Sequence, residues 1–174
     1  MIEKLNASEF DKVFEILKVS FPVDEIRTYK EQKALLSNPL YHVFVSREND
    51  EILGVICVWD FDETLFIEHF AVSPNSRGRG IGGALLKGAL SLFKGRACLE
   101  VEPPNDSLSK RRIEFYKRNG FFFNAYPYFQ PAITKGTKAI PLFIMTSERE
   151  VDKDEFNCIR NLLYQKVYHY KLDN

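Results

Sequence analysis

Apolar side chains at Phe10, Val13, Phe14, Leu17 and Phe21 recur at the spacing of one helix face, so a helix is expected from Phe10, with Ser8 as its N-cap. Thr28 and Glu31 have the spacing of a capping box ahead of Leu35 and Leu36, and Ser37-Asn38-Pro39 ends the run, which predicts a short second helix. The period then changes. Residues 41–46 and 52–59 are β-branched and aromatic runs joined by the polar stretch 47–51, the pattern of a hairpin. A turn at 60–64 leads to a third strand over 65–72, which ends in Ser73-Pro74-Asn75-Ser76 and a glycine-rich segment.

Beyond the glycines, Ile81, Ala84, Leu85, Gly88, Ala89 and Leu92 fit one face of an amphipathic helix. Residues 96–101 read as a buried strand broken by Pro103-Pro104-Asn105-Asp106, and 107–119 as a helix closed by Gly120 at its C-cap. Residues 121–128 and 142–146 are the last strands. The loop between them, 130–141, is rich in Pro, Gly and Lys and is either a plain surface loop or a functional one. Asp152 and Glu155 form a second capping box before Phe156, Ile159, Leu163, Val167 and Tyr170, which predicts a terminal helix over about 152–171 packed on the domain's own sheet. The order is β-α-α-β-β-β-loop-α-β-α-β-β, an α/β arrangement of the α+β type in one domain over residues 1–174.

Composition narrows what such a domain can do. The chain has 174 residues, 45% of them hydrophobic, enough for a core that needs no metal or disulfide. Its 24 basic and 24 acidic residues cancel, which argues against a nucleic-acid or membrane-surface partner and requires any charged ligand to be held locally. The cysteines Cys57, Cys98 and Cys158 lie far apart with no C-x-x-C pair, as in a reduced cytoplasmic protein. No export signal or membrane span is expected from the sequence. His42, His69 and His169 lack metal-ligand spacing, so no metal is expected.

The chemistry gathers at Arg77-Gly78-Arg79-Gly80-Ile81-Gly82-Gly83, between a strand and a helix. Glycines let backbone N–H groups converge, the helix N-terminus adds about half a positive charge, and Arg77 and Arg79 strengthen the field, so a pyrophosphate suits the site. Gly78-x-Gly80-x-x-Gly83 also satisfies a dinucleotide fingerprint, with Glu100 about 20 residues on, so an NAD-binding oxidoreductase is a competing reading. A dinucleotide fold usually opens with this unit, whereas here helices and antiparallel-looking strands precede it.

Phe70-Ala71-Val72-x-Pro74-x-x-Arg77-Gly78-Arg79-Gly80-Ile81-Gly82 resembles the coenzyme A signature of the GNAT superfamily of N-acetyltransferases, Arg/Gln-x-x-Gly-x-Gly/Ala. Glu114-Phe115-Tyr116-Lys117-Arg118-Asn119-Gly120-Phe121 resembles the end of that family's fourth helix, and the resemblance covers about residues 1–146. It departs at Ser109 and Arg112, where the family often has Asn and Ala. The resemblance implies a mixed, mostly antiparallel sheet of about seven strands, splayed at the cofactor site, with helices on both faces. It also implies acetyl-CoA as co-substrate, held by Phe70, Ala71, Val72, Arg77, Gly78, Arg79, Gly80, Ile81, Gly82, Gly83, Ser109 and Tyr116.

An acetyl group would then pass directly to the primary amine of a small molecule or peptide. The amine must be neutral to attack, and its pKa is about 10.4 when lysine-like. By resemblance Glu68 takes the amine proton, directly or through water, a backbone N–H near Val72 holds the oxyanion, and Tyr116 meets the leaving thiolate. A phenol pKa of about 10 lies above a thiol's at about 8.5, so this donation is allowed once the sulfur is charged. Strand alternation is expected to send Glu68 and His69 to opposite faces. Asp60, Asp62, Glu63 and Glu68 could attract a cationic amine, and Phe121, Phe122, Phe123, Tyr126, Tyr128 and Phe129 could wall its pocket; a solvated turn and core packing are the alternatives. A catalytically inactive coenzyme A-binding protein and a homodimer also stay open.

Overall fold

In the computed structural model, residues 2–171 are described, and two compact units divide the chain after Gly95. In the first, β2 (Tyr41–Glu48) and β3 (Glu51–Asp60) meet at a two-residue turn. Asn49 and Asp50 have φ of 47° and 65°, the left-handed pair that matches the twist of a tight hairpin, so both strands run further than their apolar residues alone suggest. β1 (Ile2–Lys4) pairs with β2, and β4 (Thr64–Val72) with β3, giving the antiparallel order β1-β2-β3-β4.

Alternation along β3 points Gly54 and Cys57 to opposite faces. At Gly54 the open face admits α3 (Ile81–Leu90), whose Leu85 Cδ2 lies 3.2 Å from where a Cβ would stand. Leu85, Leu86 and Ala89 are the buried stripe of α3, whereas Ala84 and Leu92, expected on that stripe, are exposed. On the other face lie α1 (Phe10–Ser20), with Phe10, Val13, Phe14 and Leu17 inward, and α2 (Tyr29–Ala34). The expected cap Ser8 instead sits inside a 3-10 turn, Ala7–Glu9, whose cap is Asn6: its Oδ1 accepts from Ser8 N at 3.1 Å. The Thr28–Glu31 capping box is present, and the side chain that α2 buries is the polar Gln32.

The second unit holds β5 (Arg96–Val101), α4 (Ser107–Arg118), β6 (Phe121–Gln130), β7 (Ile140–Ser147) and α5 (Lys153–Lys166). β7 pairs antiparallel with both other strands, in the order β5-β7-β6. Gly120, with φ of 85°, ends α4 as expected of a C-cap glycine. The loop before β7 is shorter than expected, because Gln130, Ile140 and Pro141 belong to strands. α5 starts at the Asp152–Glu155 capping box and packs on β6: the Tyr126 and Phe156 ring centroids are 4.8 Å apart, and Tyr164 Oη donates to the Phe129 carbonyl at 2.8 Å. Tyr170 lies beyond α5, 37% exposed, rather than on its buried stripe. In the aromatic run of β6, Phe121 and Tyr128 are core residues, while Phe122 and Phe129 are exposed.

Two glycines sit where a Cβ has no room. A Cβ on Gly95 would stand 2.5 Å from the Asp62 carbonyl oxygen, a backbone atom that cannot yield, and on Gly88 it would meet the β-branched Ile2 at Cγ2, 2.7 Å away, with Ile2 Cβ at 3.4 Å. Gly95→Ala should therefore lower unfolding stability by about 1–3 kcal/mol in urea titration, and Gly88→Ala should also destabilise, by less because alanine's better helix propensity offsets part of the cost.

Candidate functional site

β4 ends at Val72, and Ser73 N donates back to the Leu53 carbonyl at 2.8 Å, fixing where the chain leaves the sheet. A 3-10 turn, Pro74–Ser76, follows, with Ser76 buried beneath it. Gly78 and Gly80 then take φ of 78° and 77°, and a Cβ at either would meet nothing within 4 Å. Backbone conformation, not crowding, therefore demands glycine, and the space over the loop is open. Ile81, Gly82 and Gly83 form the first turn of α3, where N–H groups have no intrahelical acceptor and the helix dipole is positive. Both arginines are exposed: Arg77 Nε donates to the Val72 carbonyl at 3.2 Å, and Arg79 Nη2 to Glu48 Oε2 at 2.8 Å. Phe70, Ala71 and Val72 lead directly into this cradle, so the first unit brings together all the predicted cofactor residues except Ser109 and Tyr116.

Within β4 the register breaks: Ile67 pairs with Val58 and His69 with Cys57, leaving Glu68 as an extra residue. This bulge cancels the expected alternation, because one added residue turns two consecutive side chains to the same face. Both Glu68 and His69 have side chains only 2% exposed, and they lie together, with Glu68 Oε2 3.4 Å from His69 Nδ1. Arg27, which no periodicity singled out, donates from Nη1 to Glu68 Oε1 at 2.7 Å. His69 Nε2 donates to the Glu25 carbonyl at 2.8 Å, and the Phe21 ring meets the imidazole edge-on at 4.9 Å. Cys57 and Tyr41 adjoin this group, and Gln32 Nε2 donates to Tyr41 Oη at 2.6 Å.

These contacts fix protonation. Burial alone would raise the Glu68 pKa, but Arg27 and His69 outweigh it and hold the carboxyl at about 2. Burial opposes a charged His69, yet the neighbouring Cys57 and the Glu68 carboxylate raise it to about 10. With Nε2–H committed to a carbonyl, a neutral ring would turn its Nδ1 lone pair on the carboxylate, so the imidazolium is the consistent form. Glu68 is thus a paired anion and a weaker base than an exposed glutamate. This counts against the expected role as proton acceptor. Asp60 and Asp62 do not join it: Asp60 Oδ1 accepts from Asp62 N at 3.0 Å inside their own turn.

In the second unit, Ser109 is a capping residue. Asp106 Oδ1 accepts from Leu108 N and Ser109 N, both at 2.8 Å, and Ser109 Oγ accepts from Asp106 N at 3.2 Å. Arg112 pairs with Glu102. Tyr116 lies two turns further along α4, half-buried, its ring edge-on to Phe115 and Phe121. Burial pushes its phenol above the ordinary value, so it stays protonated at working pH. Among the described residues no group of His, Cys, Asp or Glu could hold a metal ion, and no helix is long and apolar enough to cross a membrane.

The sequence profile of the acetyltransferase (GNAT) family matches residues 10–121. The chain belongs to the GNAT family. A GNAT-family protein of solved structure from Bacteroides thetaiotaomicron, provisionally assigned as an acetyltransferase, is 30% identical and superposes with a TM-score of 0.88, covering 98% of this chain and 99% of its own. The fold is therefore the GNAT fold, and the described residues form seven strands and five α-helices. YjbC of Bacillus subtilis, also provisionally assigned as an acetyltransferase, is 30% identical over 112 residues, 62% of this chain, and the chain spans 55% of its length. An aminoglycoside 6'-N-acetyltransferase crystallised with coenzyme A shares the fold, at 15% identity and a TM-score of 0.65, over 87% of this chain and 99% of its own.

The missed members of this GNAT protein's buried cluster are Arg27 and Gln32. Gln32 left a trace, a polar residue three after Tyr29 and four before Leu36; Arg27 left none. Because the Glu68 pKa is lower folded than unfolded, its stabilisation is complete above the unfolded value near 4.5 and fades as pH falls towards 2. The stability difference between wild type and Glu68→Gln, from urea unfolding, should hold from about pH 7 to 5 and shrink by more than half by about pH 3.

Proposed function

We propose that the chain transfers an acetyl group from acetyl-CoA to a primary amine by direct attack. The observation that carries this reading is the cradle at the end of β4: two left-handed glycines, a helix start and two exposed arginines around open space. A pyrophosphate matches that charge and shape, and the coenzyme A complex of the aminoglycoside acetyltransferase supports coenzyme A as the molecule that carries it. Acetylation of amines by family members supports the acceptor class.

In the reaction the amine nitrogen forms a bond to the thioester carbon, the carbon–sulfur bond breaks, and the electron pair leaves on sulfur. The oxyanion passing between these states needs a fixed donor, which the resemblance assigns to a backbone N–H near Val72. It assigns Tyr116 to the sulfur, where a protonated phenol steadies the thiolate by hydrogen bonding. The nitrogen gives up one proton. With Glu68 held as a paired anion, that proton leaves to water, and the neutral fraction of the amine sets the rate at low pH.

Calorimetric titration with acetyl-CoA should show binding that Arg77→Ala weakens by about 10–100-fold, the range for one charged hydrogen bond, and that Arg77→Ala with Gly80→Ala abolishes. NAD, titrated in parallel, should not bind; binding of NAD alone would overturn the reading. A panel of primary amines assayed by thiol release should then give a substrate whose log kcat/KM rises with pH towards the amine's own pKa, without a carboxylate inflection. Tyr116→Phe should lower kcat by about 10–100-fold with acetyl-CoA affinity retained.

A further inference from the structure

β1 ends at Lys4 opposite Phe44, whereas β2 reaches back to Tyr41, so the start of β2 outruns its outer neighbour. Once Leu5 N has donated to the Val43 carbonyl at 2.9 Å, the chain leaves for the Ala7–Glu9 turn. The connection behind α2 approaches the same edge as another 3-10 turn, Leu35–Ser37, followed by Asn38 and Pro39. Between the two, within the first unit, is a cavity of about 270 Å³. It is remote from the glycine cradle: Tyr41 pairs with Trp59, while Val72 pairs with Gly54, about 17 Å away along β3 at roughly 3.4 Å per residue. Four lining residues carry hydrogen-bond donors, Lys4, Ser37, Asn38 and His42, and no carboxylate is among the described residues of the lining. Among the described residues the Lys4 ammonium, the Ser37 hydroxyl and the His42 ring make no hydrogen bond or ion pair. Asn38 Oδ1 accepts from Leu40 N at 3.0 Å, which leaves its Nδ2 to donate. The turn is tied on both sides, Asn38 N donating to the Leu35 carbonyl at 2.9 Å and Tyr41 N to the Asn38 carbonyl at 3.1 Å. The His42 ring is braced by Phe93 and Phe44, at centroid distances of 5.6 and 6.3 Å. Buried Leu5 and Val43 and half-buried Leu36 give the cavity an apolar side.

We propose that this cavity is a second ligand site, separate from the cofactor cradle, which takes a small organic anion: a carboxylate on a short apolar body. Donors that no protein acceptor engages call for a ligand rich in acceptors, and Lys4 makes negative charge the favoured kind. A cationic ligand would meet Lys4 and no carboxylate wall to offset it. Leu5, Leu36 and Val43 suit an alkyl group behind the carboxylate. The volume falls just below the range of about 300–1,000 Å³ that holds drug-sized ligands, so the occupant is a small metabolite-sized acid and acetyl-CoA is too large. Because Asn38 and His42 are held by their own bonds and rings before any ligand arrives, little further ordering is needed. Burial, and then the Lys4 charge, hold the His42 pKa below its ordinary value, while Asp60 at the end of β3 opposes them. An anion placed between Lys4 and His42 reverses the effect of Lys4, so binding raises the His42 pKa and makes the ring a reporter of occupancy.

The test follows the histidine Cε1–H resonances of the whole chain by NMR at constant ionic strength, with sodium butyrate as the probe. Butylammonium chloride and 1-butanol, which share its chain length, and inorganic phosphate, which shares its charge sign, are run in parallel. Butyrate should shift the His42 resonance saturably, with a Kd of about 1–10 mM, and raise the His42 pKa, leaving His69 and His169 unmoved. Butylammonium and butanol should leave His42 unmoved at the same concentrations, and phosphate, without an apolar part, should bind more weakly than butyrate. Lys4→Gln, a change at an exposed side chain, should weaken butyrate by about 3–10-fold. A Lys4→Gln variant that binds butyrate like wild type overturns the proposal, as does a His42 response to butanol or butylammonium equal to that with butyrate. Phosphate binding as tightly as butyrate overturns the amphipathic ligand, and equal shifts of all three histidines mean a bulk salt effect and no site. The wild-type probe series decides on its own should the variant fail to fold, and none of these outcomes depends on whether the cradle binds acetyl-CoA.

Discussion

One carboxylate, buried in an apolar sheet face and answered by a guanidinium and an imidazolium, is the constraint on which the first unit turns. An unpaired anion there would not survive as an anion. Its partners must therefore come to it, and they come from a stretch of chain with little structure of its own. The bulge that places Glu68 and His69 side by side, the path of residues 21–28 and the protonation of both groups are one solution to one electrostatic problem.

The division of labour along β4 follows. Its first part, up to the bulge, is a core strand: Leu65, Phe66 and Ile67 are buried. Its last part, from Phe70 to Val72, delivers the chain to the glycine cradle, where the left-handed Gly78 and Gly80 lie beside open space. Between them the bulge turns Glu68 and His69 to one buried face, where the carboxylate lies against Arg27 and His69. Ser109 shows a similar substitution in the second unit. Where the family often carries Asn, this chain has a hydroxyl that closes the N-terminus of α4.

Much of this was legible from the residues. Periodicity placed α1, α3 and α5, the Thr28–Glu31 and Asp152–Glu155 spacings placed two helix starts, and the strand–glycine–helix pattern located the cradle, because each is a local signal written within a few residues. The bulge was not legible. Alternation is an average property of strands, and nothing in Ile67-Glu68-His69 says which residue lacks a partner; that is decided by Val58 and Cys57 on the neighbouring strand. Arg27 was invisible for the same reason, since its partner lies 41 residues away. Ser8 has the chemistry of a cap, as Asn6 does, and only the 3-10 turn at Ala7–Glu9, which nothing in the local pattern marks, makes Asn6 the cap.

The two units also differ in how they can be assembled in time. In the first, each strand pairs with its neighbour in sequence, so every sheet contact up to β4 is available once the chain has passed Val72. In the second, β5 and β6 are separated by β7, the last strand to be made. On the ribosome β5 and β6 must wait, without their shared partner, until Ile140–Ser147 emerges to enter between them. That interval, with the aromatic residues of β6 not yet covered by α5, is when a nascent chain of this protein is most exposed to aggregation and to capture by chaperones.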